Sequence, residues 1–184
     1  MTIDKLIVVV DVQNEFLNWQ PDDIKNTLPS RIIDYLNKEA IHTGDKTVVF
    51  FTRDSHSKKD YNDCFESKKY PIHCEFGSKE WELAEELKNF EKEYNTITWI
   101  ANKKTYGEYD MFSYFKTKYR WNPKKIIVFG LTTNICVLAN MITLNTLFPT
   151  AEISTIESLT YGTSDEAKKN ALEIMQGFGF NVIK

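Results

Sequence analysis

Short, wholly apolar runs alternate with helical patterns along most of this chain. Strands are expected at Lys5–Val10, Thr47–Thr52, Thr96–Ile100, Lys125–Phe129, Ala151–Ile156 and, briefly, Asn181–Ile183. Helical spacing falls near Ser30–His42, Lys79–Lys88, Met111–Tyr119, Ile135–Leu147 and Ser164–Gly177. Runs such as Ile7-Val8-Val9-Val10 and Ile126-Ile127-Val128-Phe129 are apolar on both faces, as a central parallel strand between two helix layers requires. Strand alternating with helix predicts a three-layer α/β/α sandwich around a mainly parallel, six-stranded sheet. No repeat or linker interrupts the 184 residues, so one domain spanning 1–184 is expected.

The segment from Arg53 to Ser78 breaks the rhythm. It carries many charges, Tyr61, Tyr70, Pro71 and two of the three histidines, with neither period. A long irregular insertion in a compact domain is usually functional when ordered. In open α/β sheets ligands sit beyond the carboxyl ends of the strands. Asp11, Asp54, Lys103 and the Gly130–Cys136 turn all follow expected strands, so four chain positions converge on one sheet edge.

Composition narrows the classes. The formal charge of −3 gives no electrostatic reason to expect nucleic acid or an anionic membrane surface as a partner. The apolar runs are far too short to span a bilayer, and the N-terminus, broken by Asp4 and Lys5, does not read as a signal peptide. Three cysteines, Cys64, Cys74 and Cys136, cannot all pair within the chain. A cytoplasmic location with free thiols is the economical expectation. No glycine-rich phosphate loop occurs, so the doubly wound pattern brings no nucleotide cofactor.

Cys136 is the first candidate for chemistry. It opens a helix after a buried strand, where the dipole is expected to lower its pKa and free amides of the turn could hold an oxyanion. A buried structural cysteine is the bland alternative. Asp11, at the end of the first strand, suits a general base if burial raises its pKa; otherwise it caps a turn. Lys103 near both would favour their ionised forms, although adjacent lysines are more often solvated surface.

Asp54-x-His56 places two ligand-type side chains on the same side of an extended segment, and His73 arrives from the far end of the loop. Carboxylate plus imidazole suits zinc, iron(II) or manganese, with Glu66 as a further ligand. Cys64, His73 and Cys74 form a rival set for a structural zinc, ranked lower because neighbouring residues point apart in extended chain. His42 is expected to meet the last carbonyls of its helix.

With these residues in view, the sequence resembles the isochorismatase-like hydrolases and, within them, the nicotinamidase branch. The resemblance spans nearly the whole chain. Asp11-Val12-Gln13-Asn14-Glu15-Phe16 is similar to the family's opening Asp-x-Gln-x-(Asp/Glu)-Phe motif, and Lys103-x-x-Tyr106-Gly107 to the segment of its catalytic lysine. Gly130-Leu131-Thr132-Thr133-Asn134-Ile135-Cys136-Val137 resembles its nucleophile turn. The loop with Asp54-x-His56 and Tyr70-Pro71-Ile72-His73-Cys74 resembles the nicotinamidase metal loop, at about residues 53–78.

The resemblance implies a Rossmann-like fold and an Asp11, Lys103, Cys136 triad. It also implies a cis Leu131–Thr132 bond and an oxyanion hole at the Thr132 and Cys136 amides. One divalent metal, zinc first, with iron(II) or manganese as alternatives, would be held by Asp54, His56, His73 and Glu66. Phe16, Tyr70 and Tyr106, with Trp19 a looser match, would wall the substrate. The implied activity is hydrolysis of nicotinamide to nicotinic acid and ammonia through a cysteine thioester, in NAD salvage, by a homo-oligomer. Three positions depart from the pattern: Tyr70 replaces Trp, Asn134 replaces Asp, and Glu157-Ser158 stands where Asp plus a small residue is common. A cysteine hydrolase of another amide or ureide, and a non-catalytic binding member of the fold, are the alternatives.

Overall fold

The structure is a computed structural model that describes residues 3–41, 46–90 and 97–184. Its seven strands are β1 (Lys5–Val10), β2 (Thr47–Asp54), β3 (Ile97–Lys103), β4 (Lys125–Leu131), β5 (Glu152–Ile156), β6 (Thr160–Tyr161) and β7 (Asn181–Ile183). They form one parallel sheet in the order β3-β2-β1-β4-β5-β7, with β6 paired to β4. The helices are α1 (Asn14–Asn18), α2 (Asp22–Leu36), α3 (Glu85–Lys88), α4 (Asp110–Lys118), α5 (Leu138–Leu147) and α6 (Asp165–Gly177).

β1 is the central strand and is buried along its whole length. Its side chains alternate between two cores, as the period of two demands. Leu6, Val8 and Val10 pack with Phe112 and Phe115 of α4, Met141 and Leu144 of α5, and Leu172 and Met175 of α6. Ile7 and Val9 face Phe16 and Leu17 of α1, Leu28, Ile32 and Leu36 of α2, and Leu87 of α3. Each fully buried side chain of this size contributes about 1.5–3 kcal/mol relative to exposure. The aromatic content goes largely into these cores: Phe115 stacks on Trp121 at 4.4 Å, and Phe50 meets Phe112 at 4.7 Å.

Several elements differ from the sequence expectation. β2 and β3 run on to Asp54 and Lys103, which are register partners. These two charged residues therefore lie within the sheet ladder rather than beyond it. α2 begins at Asp22, eight residues before the expected start, since its first two turns carry mostly polar residues. His42 lies outside the described residues, as does Thr96. Of the helix expected over Lys79–Lys88, only Glu85–Lys88 is helical, because Leu83 bridges to Gln13 and draws the preceding chain alongside the sheet edge.

At Gly130 the chain requires glycine. Its φ is +123°, and an added Cβ would stand 2.2 Å from the Val10 carbonyl oxygen. This close approach sets the Gly130–Cys136 turn against the residue preceding Asp11.

Candidate active site

The ends of three strands deliver the first group of side chains. Asp11 follows β1 with φ of 49°, in the left-handed region where non-glycine residues are uncommon. Its amide donates to the Thr52 carbonyl at 3.1 Å, and Thr52 Oγ1 donates to its Oδ1 at 2.7 Å. Lys103 Nζ lies 2.7 Å from Asp11 Oδ2, 3.4 Å from Asp54 Oδ1 and 3.6 Å from Cys136 Sγ. Asp11, Lys103 and Cys136 are all buried.

Their electrostatics follow from that burial. Desolvation raises the Asp11 carboxyl above its usual range, with Lys103 pulling the other way. Burial also opposes the Lys103 cation, yet the Asp11 and Asp54 carboxylates prevail, and its pKa stands well above the ordinary value. Cys136 differs from the expectation of a depressed pKa. Burial pushes its thiol well up, Lys103 offsets only part of this, and Asp11 and Asp54 add to the rise. The reason is geometric. Thr133–Val137 form a single π turn before α5, and the sulfur sits inside the protein rather than at an open helix end. The Leu131–Thr132 bond is cis, as the family resemblance implied.

Asp54, His56, Glu66 and His73 form a second buried group beside the first. One donor atom from each lies within 4.8 Å of all the others. Asp54 Oδ2 is 3.1 Å from His56 Nε2 and 3.0 Å from His73 Nε2. Glu66 reaches the same nitrogens at 3.6 and 3.5 Å. Donors bonded at about 2.1 Å to one ion are separated by roughly 3.0–3.4 Å along the edges of an octahedron or tetrahedron. Two imidazole nitrogens and two carboxylates at this spacing fit a divalent ion. His73 Nδ1 lies 2.9 Å from the Pro71 carbonyl, to which it can only donate, so Nε2 is the nitrogen left to the group, where it bonds Asp54 and could ligate an ion on losing its proton. Lys103 and the two histidines hold Asp54 well below the usual carboxylate range, against the opposing effect of burial. The rival set of Cys64, His73 and Cys74 is not assembled among the described residues. Cys64 Sγ donates instead to the Asp60 carbonyl.

A narrow cleft of about 30 Å³ lies over both groups, lined by Phe16, Trp19, Tyr70, Glu66, His73 and Cys136, with Thr132, Ile135 and Thr163 completing it. Phe16 meets Trp19 edge to face at 5.0 Å, and both rings lie 5.6 Å from His73. Trp19 is half exposed at the mouth. Tyr106, expected in this wall, lines the adjoining groove with Tyr70, Ile135 and Leu138.

Other residues hold the site without having been singled out from sequence. Gln13 donates from Nε2 to the Asp54 and Trp81 carbonyls and accepts from the Asp54 amide. Its place beside Asp11 was the signal. The Tyr61 hydroxyl meets the Tyr70 and Pro71 carbonyls at 3.0 and 3.1 Å and His73 Nδ1 at 3.4 Å. Thr163 stands at the cleft rim. A lone tyrosine or threonine in irregular chain carries no sequence signal of either role.

The model of the isochorismatase domain matches residues 5–184. The chain belongs to the isochorismatase family. Among solved structures, this family member is similar to the pyrazinamidase/nicotinamidase of Streptococcus mutans. That pair shares 24% identity with a TM-score of 0.77, over 98% of this chain and 100% of that one. It is also similar to the pyrazinamidase of Pyrococcus horikoshii in complex with zinc, at 17% identity and a TM-score of 0.73, over 98% and 99%. The N-carbamoylsarcosine amidase of Thermoplasma acidophilum follows at 18% and 0.72, over 99% and 96%. At these identities the likeness shows the fold. No curated protein matches the sequence. Among the described residues no helix is long and apolar enough to cross a membrane.

Proposed function

We propose that this isochorismatase-family hydrolase is a metal-dependent cysteine amidohydrolase that converts nicotinamide to nicotinic acid and ammonia. The observation that carries the reading is the placement of one ammonium group. Lys103 Nζ bridges Asp11, Asp54 and Cys136 within 2.7–3.6 Å, so carboxylate, thiol and ligand cluster share one buried cation.

Asp11 accepts the Cys136 proton as the sulfur attacks the carboxamide carbon. Both groups are raised by burial, so the transfer is less uphill than between a raised thiol and an ordinary carboxylate. Lys103 supports the thiolate as it forms. The Thr132 and Cys136 amides are assigned to the oxyanion. As the tetrahedral adduct collapses, the C–N bond breaks and Asp11 returns the proton to departing ammonia. Water, deprotonated by Asp11, then attacks the thioester carbon, and the thiol leaves reprotonated with the acid as product. Asp54, His56, Glu66 and His73 would hold the divalent ion, zinc first, which supplies a Lewis-acid anchor for a ring nitrogen. Phe16, Trp19 and Tyr70 would wall a flat ring between aromatic surfaces, with Tyr106 lining the adjoining groove. An NAD-salvage role in the cytoplasm and assembly as a homo-oligomer belong to the same proposal.

The test is ammonia release from nicotinamide by the zinc-loaded protein, with nicotinic acid identified as the second product. N-Carbamoylsarcosine and benzamide run alongside. Ammonia from a ureide with none from nicotinamide would replace the substrate while keeping the chemistry. No ammonia from any member would sink the amidohydrolase reading.

A further inference from the structure

Asn134 and Thr163 meet at the cleft rim through two hydrogen bonds whose directions the chemistry fixes. The Thr163 backbone amide lies 2.9 Å from Asn134 Oδ1. A backbone N–H can only donate, so the atom facing it must be the side-chain oxygen, and this settles which way the Asn134 amide is turned. Nδ2 therefore occupies the other position, 3.1 Å from Thr163 Oγ1, and it too can only donate. The Thr163 hydroxyl is an acceptor toward Asn134. Its own proton has no acceptor among the described residues, and Thr163 lines the same cleft as Cys136.

We propose that Asn134 and Thr163 together determine specificity by presenting a hydrogen-bond donor at the rim. This inference rests on the amide-substrate reading and sharpens it. The favoured class is a ring carboxamide carrying an acceptor where it reaches Thr163: a second ring nitrogen, an ether oxygen or a carbonyl oxygen. The polarity belongs to Asn134. In Asn134→Asp the carboxylate has no proton to give, so the Thr163 O–H turns to it and shows lone pairs to the cleft instead. Substrates with a donor at the rim then replace those with an acceptor.

Calorimetric binding to the zinc-loaded Cys136→Ala protein tests this without turnover. The ligands are nicotinamide derivatives with a ring nitrogen, methoxy, methyl or amino group at each free ring position. At one position or more, the acceptor derivative should bind about 2- to 10-fold tighter than its apolar counterpart, the range of one net hydrogen bond. Thr163→Val should bring that ratio close to one, and Asn134→Asp should transfer the preference to the amino derivative. An unchanged ratio in Thr163→Val, or an acceptor preference that survives Asn134→Asp, would overturn the inference. So would failure of the whole series to bind. Turnover by the Cys136-bearing protein separates the two readings. Hydrolysis of nicotinamide with ratios indifferent to both substitutions sinks the rim donor alone, whereas binding ratios that behave as expected without any hydrolysis sink the amidohydrolase alone.

Discussion

Asp11 and Lys103 stand at the ends of hydrogen-bonded strands and Cys136 in the turn that follows one, whereas His56, Glu66 and His73 hang on a loop of irregular chain and short 3-10 turns. The first corner is held by the sheet ladder. Val10 pairs with Thr52 and Gly130, and Asp54 pairs with Lys103, so backbone registers set the spacing of Asp11, Asp54 and Lys103. The ligand loop has no such ladder beyond an isolated bridge between His56 and Glu75. It is fastened by side chains: Gln13 onto Asp54, Glu15 onto the Cys74 amide, and Tyr61 onto the chain before His73. The difference teaches that the two halves of the site fail differently. The catalytic corner should lose chemistry while keeping its shape, and the loop should lose its shape when its ion goes.

The largest effect is expected at the sulfur. Cys136→Ala should lower kcat by roughly 10⁴-fold or more, since no other group offers the covalent route. Its thermal melt should stay near that of the parent protein, because the substitution removes one small buried side chain. Lys103→Met makes the contrast within the same corner. It strands the Asp11 and Asp54 carboxylates without their shared cation, and removing one partner of a buried pair costs about 3–5 kcal/mol. Urea denaturation should register that loss alongside the loss of turnover. A Lys103→Met protein as stable as the parent would show that the corner is not held as described.

The sheet and the corner were far more legible in sequence than the loop, for physical reasons. A buried parallel strand must be apolar on both faces, so β1 and β4 announce themselves, and a reactive group at such a strand end is conspicuous. Hydrophobic period ends where polar residues begin, which is why β2 and β3 were expected to stop short of Asp54 and Lys103. Sequence could nominate His56 and His73 as ligands from their type and spacing. It could not show that Tyr61 would contact His73 or that Gln13 would hold Asp54, since those contacts depend on how an aperiodic loop folds back. The raised Cys136 pKa is not legible in sequence for a related reason. Its turn is visible in sequence, but the desolvation that outweighs Lys103 is a property of three-dimensional burial.

Stripping the ion tests the loop directly. Chelated protein should hydrolyse nicotinamide at least about 100-fold more slowly, because substrate alignment contributes several kcal/mol to a barrier. Cys136 should keep its alkylation rate with iodoacetamide, read by peptide mapping, since its neighbours stand on the sheet. Cleavage by added protease within 53–78 should accelerate at the same time. Slower alkylation of Cys136 on chelation would mean that the ladder does not insulate the corner from the loop.

Tyr61→Phe is the smallest change and the finest probe of the same contrast. The ring remains, packed edge-on 4.6 Å from His56, so the loop keeps its apolar filling. Only the hydroxyl goes, and with it the bonds to the Tyr70 and Pro71 carbonyls and the contact with His73 Nδ1. His73 still has the Pro71 carbonyl to fix its tautomer, which limits the damage. Loss of one partner behind a ligand typically lowers metal affinity about 10- to 100-fold, and the surviving bond places this case near the lower end. A competition titration against a zinc chelator should therefore show about tenfold weaker binding. With zinc saturating, kcat should return to near the parent value, because Asp11, Lys103 and Cys136 do not feel the hydroxyl. A kcat deficit that persists at saturating zinc would show instead that Tyr61 positions the substrate through Tyr70, and that loop and corner are not separable.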